Sequence, residues 1–155
     1  MLINSRSLFV FSYLILILGF YLGEDLNGNA KEDYLGQFHI INQFAQNFFY
    51  AFDNYSSLED GTSRQSPIFF FLISIIYKIL PSSDLLRFAN LNLSFLSIFI
   101  FHKCISLIFD KQKILLITLL SIILVFSPSF RSLAIWPNSI NLGLLFFLVS
   151  LYFFL

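Results

Sequence analysis

The chain is poor in the residues that usually carry soluble chemistry. Its 155 residues include one cysteine, one tryptophan, four prolines and six glycines, and only 12% are charged. A lone Cys104 in an apolar segment leaves no disulfide framework and no thiol metal site. Nine basic residues balance nine acidic ones, so no net field recruits nucleic acid and no block of like charge forms a polyanion-binding tail. Heptads, solenoid repeats, low-complexity tracts, Gly-rich phosphate loops and paired-His metal motifs are absent from the sequence, which excludes the functions built on them. What remains is apolar: 57% hydrophobic residues, 22 of them Phe, with a mean hydropathy of +0.80. A soluble domain this small cannot bury so much apolar surface, and the composition is that of an integral membrane protein.

The first apolar run, residues 8–23, follows a polar start containing Arg6. Tyr21-Leu22-Gly23 lacks the small-x-small pattern that signal peptidase cuts, so the run is read as an uncleaved anchor. At roughly 16 residues it is slightly short for a span. Arg6 on its near side points to an N-in orientation, with Glu24 and Asp25 outside. Residues 24–84 are then expected to form an outer loop holding two interfacial helices. In the first, residues 33–52, the spacing of Tyr34, Phe38, Ile41, Phe44, Phe48 and Phe52 predicts an apolar stripe opposite Gln37, Asn42, Gln43, Gln46 and Asn47. Such a helix lies on a membrane, with Asp33 near its N-terminus where the dipole favours a carboxylate. His39, on its polar side, reads as a surface histidine. The stretch DNYSSLEDGTSRQ reads as a loop, and its Asn54-Tyr55-Ser56 sequon is a weak signal. Residues 67–80, opened by Ser66-Pro67 and closed by Pro81, give about 14 residues containing Lys78, too few to span comfortably.

Residues 85–109 are long enough to cross. His102, Lys103, Lys111 and Lys113 mark the loop that follows as cytoplasmic. Residues 114–126 return outward, Ser127 to Asn138 forms a second outer loop, and 139–155 re-enter the bilayer. The expected class is therefore all-α, a polytopic membrane protein with about four transmembrane helices plus one or two interfacial juxtamembrane helices. If 67–80 crosses instead, every later loop changes side. The apolar stop at Leu155 gives the chain the look of the front part of a longer protein.

The order of these features resembles the N-terminal part of the C-fold (GT-C) membrane glycosyltransferases, the dolichyl- and undecaprenyl-phosphate mannosyltransferase-like enzymes. Glu24-Asp25 and Asp33, SPIFFFL from Ser66, LLRFANL from Leu85 and SPSFRSLAIWPNS from Ser127 carry the resemblance. It implies transfer of a sugar from a polyprenyl-phosphate carrier to a glycan, lipid or protein acceptor on the extracytoplasmic face of a bacterial inner membrane. An acid of the first outer loop then serves as catalytic base or orients the acceptor: Asp25 first, then Asp33, with Glu24 as partner. A carboxylate there can take the proton of an attacking hydroxyl, and apolar surroundings raise its pKa toward that task. For any one of these acids, merely solvating the interface is an equal reading. Arg64, Arg87 and Arg131, with Lys78, fall on the outer side against the positive-inside tendency, where a lipid-linked phosphate needs donors. Lys78 reads equally well as snorkelling to headgroups. Trp136 has two readings, stacking on a sugar ring or, more commonly, anchoring at the interface. Asn138 stands where the family often has an acid, so it can hydrogen-bond an acceptor but cannot act as a base or hold a metal strongly. No cofactor is expected; a divalent metal is compatible with the family, and no residue pattern indicates one.

Two other classes compete. A transporter subunit would show ionisable or helix-breaking residues in mid-span, which Ser94–Ile100 and Leu115–Phe126 lack. A non-catalytic assembly protein would leave Asp25, Asp33, Arg87 and Arg131 scattered, whereas an enzyme would bring them to one outer cavity.

Overall fold

The computed structural model describes residues 4–25, 29–58, 66–109 and 113–155, and those residues are all-helical. The helices are α1 (Ser5–Leu22), α2 (Ala30–Gln46), α3 (Phe48–Asp53), α4 (Tyr55–Leu58), α5 (Pro67–Ile79), α6 (Ser83–Ile108), α7 (Ile114–Ile122), α8 (Pro128–Ile135) and α9 (Ser139–Phe154), with a 3-10 turn over Ile123–Phe126. Their boundaries follow local chemistry. Asn4, Ser66, Ser127 and Asn138 each accept a backbone N–H at a helix start, and Pro67 and Pro128 occupy first-turn positions where a missing N–H costs nothing.

Two helices, α1 and α6, are long and apolar enough to cross a membrane. The run Ile114–Phe126 together with α8 makes a third only if counted as one span across a 71° bend. α5 and α9 are apolar but shorter. The chain thus has two to three candidate spans among the described residues, fewer than the four expected.

Central helix α6 packs against α9, α7, α8, α5 and α1. Asn141 Nδ2 donates to Ser94 Oγ at 2.9 Å and Cys104 Sγ donates to the Leu148 carbonyl at 3.6 Å, so α6 and α9 run parallel. One core joins Leu16, Leu91, Ile98, Ile122 and Val125 within the bundle. A second lies between α2 and α5, where Tyr34, Ile41 and Phe44 meet Phe70 and Ile73.

Three expectations need correction. The helix expected over 33–52 begins at Ala30 and breaks at Asn47, whose extended backbone ends α2 while its side chain accepts the Tyr50 N–H and starts α3. The apolar stripe is consequently split: Tyr34, Ile41 and Phe44 are buried under α5, while Phe52 on α3 is exposed. Gln37, expected on the polar face, is buried with them. In the outer loops, Tyr55–Leu58 forms a turn of helix, and most of Ser127 to Asn138 is helix α8, half of whose residues are buried. Four apolar residues of SPSFRSLAI, namely Phe130, Leu133, Ala134 and Ile135, pack inward, which a polar reading of that loop does not anticipate.

Candidate functional site at the exit of the first helix

α1 ends at Gly23, which adopts the left-handed conformation (φ 62°, ψ 38°) that favours glycine. The Gly23 N–H donates to the Phe20 carbonyl at 3.2 Å and the Glu24 N–H to the Gly19 carbonyl at 2.9 Å, the paired bonds of a Schellman cap. This reversal lays the Glu24 carboxylate back over Gly19. A Cβ at position 19 would stand 2.7 Å from Glu24 Oε2 and 3.1 Å from Ile135 Cδ1, so only glycine leaves the room.

Arg131 meets Glu24 from α8. Its Nε donates to Glu24 Oε1 and Oε2 at 2.8 and 3.0 Å, and its Nη2 lies 2.6 Å from Oε1. Nη1 donates to the Val125 carbonyl at 3.0 Å, across the bend made by Ser127-Pro128. Both side chains are largely buried, at 13% exposed for Glu24 and 17% for Arg131. A two-pronged, charge-assisted pair of this kind is geometrically specific and loses much of its water.

Trp136 completes the junction. Pro137 holds the preceding residue extended, ending α8, and the indole Nε1–H donates to the Glu24 carbonyl at 3.1 Å. The Arg87 guanidinium carbon lies 3.7 Å from the Trp136 ring centroid and 4.8 Å from that of Phe20, between the two rings. Lys31 Nζ approaches the indole to 5.7 Å, and Tyr34 packs at 5.9 Å between centroids. Burial, the largest influence, raises the Tyr34 phenol above its ordinary 10.0, while its hydrogen bond to Ser83 and the charge of Arg87 oppose that shift.

The expected site residues divide accordingly. Glu24, Asp25, Arg87, Arg131 and Trp136 gather where α1, α6 and α8 meet. Asp25 shares with Glu24, Arg131, Leu22 and Gly23 an open cleft of about 510 Å³, and its Oδ1 is buried with no hydrogen-bond partner among the described residues. Arg87 Nη1 pairs with the exposed Asp84 at 2.9 Å, whereas its Nε and Nη2 are buried and unpartnered. Asp33 stands exposed on the first turn of α2, outside the cleft lining. Asn138 is buried, and its Oδ1 accepts the Ile140 N–H as the cap of α9. His39 is exposed and bonded to backbone carbonyls of Gly36 and Leu58. Arg64 lies outside the described residues. No group of three metal-ligating side chains occurs among the described residues.

Sequence reading missed Gly19 and Asn90. Asn90 is buried in α6 and donates to the carbonyls of Leu133 and Ala134 at 2.9 and 2.8 Å, satisfying the last turn of α8. A glycine and an asparagine inside apolar helices were the available signals, since each marks close backbone approach or a buried polar tie.

Compared with known proteins, the chain matches no protein-family model, no curated protein and no solved structure.

Proposed function

We propose that the chain belongs to a polytopic membrane glycosyltransferase of the C-fold type, with about four spans in this region, which transfers a sugar from a polyprenyl-phosphate donor to an acceptor at the extracytoplasmic face of a bacterial inner membrane. The observation that carries the reading is the buried, unpartnered Asp25 Oδ1 in a cleft shared with Arg131. A carboxylate oxygen with no hydrogen-bond partner keeps lone pairs that can accept from a hydroxyl brought against it. Glu24 is engaged by Arg131 and Asp33 is exposed, so Asp25 is the better base.

In the proposed reaction the acceptor oxygen bonds to the anomeric carbon and gives its proton to Asp25. The bond from that carbon to the phosphate oxygen breaks, and the polyprenyl phosphate leaves with the electron pair. Negative charge grows on the leaving phosphate, and the two unpartnered donor groups of Arg87 suit it. Arg6, Lys103 and Lys113 belong to helix ends away from this site, which suits a cytoplasmic placement of that end, whereas Lys31, Arg87 and Arg131 stand on the side of the site against the positive-inside tendency.

A second reading has its own support. The Glu24–Arg131 pair and the Trp136 bond to the Glu24 carbonyl form a latch between α1 and α8 that needs no substrate, as a non-catalytic assembly protein would have. Asp25→Asn in the full-length protein separates the two. Sugar transfer from a polyprenyl-phosphate donor, measured in membranes with insertion verified, should fall roughly 10²-fold or more. Unchanged transfer removes Asp25 as the base, and no transfer by the native protein leaves the latch reading standing.

A further inference from the structure

The opposite end of the bundle carries a different chemistry. Thr118 Oγ1 lies 2.9 Å from Ser5 Oγ and 3.2 Å from His102 Nε2, which brings together the start of α1, the end of α6 and the start of α7. Arg6, Lys103 and Lys113 therefore share this end; among the described residues no carboxylate follows Asp84, and Asp110 and Lys111 of the intervening loop lie outside them. Lys103 has no ion-pair partner among the described residues; its Nζ stands 5.3 Å from the Phe99 ring centroid.

Lys103 also closes one end of an apolar groove. Leu96, Phe99 and Ile100 on α6 face Val149 and Tyr152 on α9 across a volume of about 340 Å³. The groove continues through the shared Leu96 and Phe99 into a second one beside α5, whose wall includes Leu93. From Lys103 back to Leu93 the helix rises about 15 Å, roughly the hydrocarbon depth of one leaflet.

An apolar trough one leaflet deep, ending at an ammonium with no ion-pair partner among the described residues, is complementary to a lipid with an acyl chain and an anionic head. An extended peptide in the same trough would desolvate backbone groups with nothing to receive them. A zwitterionic lipid brings a competing cation to Lys103, whereas a phosphate with no other charge satisfies it. Basic pockets between helices suit anionic headgroups for this reason. We propose that the α6–α9 groove binds one anionic glycerophospholipid, its acyl chain along Leu96 and Phe99 and its phosphate on Lys103. The site is remote from Glu24 and Asp25 and stands independently of the reaction proposed above.

The test is native mass spectrometry of the full-length protein released from nanodiscs holding equal phosphatidylglycerol and phosphatidylcholine. Retained phosphatidylglycerol should exceed phosphatidylcholine. Lys103→Gln should reduce that preference about fivefold while Lys103→Arg keeps it. Both positions are exposed, so neither Lys103→Gln nor Leu96→Trp disturbs the core; the latter fills the groove and should lower retention of both lipids. Equal retention of the two lipids, an unchanged preference in Lys103→Gln, unchanged retention in Leu96→Trp, a bound second copy of the chain, or polyprenyl phosphate retained in place of phosphatidylglycerol would each overturn the proposal.

Discussion

Gly19→Ala isolates the contact that closes the α1 exit. Taken alone, alanine in a helix interior is favoured over glycine by about 1 kcal/mol. Here the new methyl would stand 2.7 Å from Glu24 Oε2 and 3.1 Å from Ile135 Cδ1, both closer than ordinary contact. Glu24 cannot simply swing away, because both its oxygens are held by Arg131. Breaking a fully buried ion pair costs about 3–5 kcal/mol; this one retains some exposure and is displaced rather than lost, so a penalty of about 2 kcal/mol is reasonable. The net for Gly19→Ala is a loss of about 1 kcal/mol, or roughly 2–4 °C in Tm for a chain of this size. In a Glu24→Ala background the carboxylate is gone and only Ile135 must adjust, so the same substitution should be neutral or slightly stabilising. The assay is thermal unfolding in detergent, followed by size-exclusion of the remaining monodisperse protein, for the four members of this double-mutant cycle. Equal shifts from Gly19→Ala in both backgrounds would refute the claim that glycine is there to seat the Glu24 carboxylate.

Two further predictions concern the supports of the site. Asn90→Leu leaves the part-buried Leu133 carbonyl and the buried Ala134 carbonyl without their donor and should lower stability by about 2 kcal/mol in the same detergent assay; a variant as stable as the native protein would show that those carbonyls find other partners. Because the folded state holds the Tyr34 phenol above 10.0, its contribution is fully present below pH 10 and is lost as pH rises through the elevated value. Tyr34→Phe should flatten the alkaline loss of stability, read from unfolding at stepped pH.

Much of the architecture could be read locally. Hydropathy marked α1 and α6, and the Ser66-Pro67 pair announced the start of α5, because a capping hydroxyl followed by proline is a nearest-neighbour signal. The acids at the α1 exit were equally visible. Asn47 was not legible as a break, since an asparagine on the polar side of an amphipathic stripe looks like any other polar position until its side chain is seen capping α3. The loop expected after Phe126 conceals a core helix for a related reason: its inward apolar face has meaning only once α1 and α6 are there to cover it.

By itself, then, the sequence determined that this is a helical membrane protein, where its apolar helices lie, and that carboxylates collect where the first one ends. Those properties follow from composition and from interactions a few residues long. Tertiary structure alone decided which acid is engaged by Arg131 and which keeps an oxygen without a partner among the described residues. Glu24 and Arg131 are 107 residues apart, and their pairing depends on the Schellman turn at Gly23, the space above Gly19 and the 71° bend before α8 acting together. Asp25, one residue from Glu24 in the chain, keeps a buried oxygen unpartnered. Adjacent carboxylates are chemically alike in sequence, and only the packing of distant helices makes their electrostatic surroundings differ.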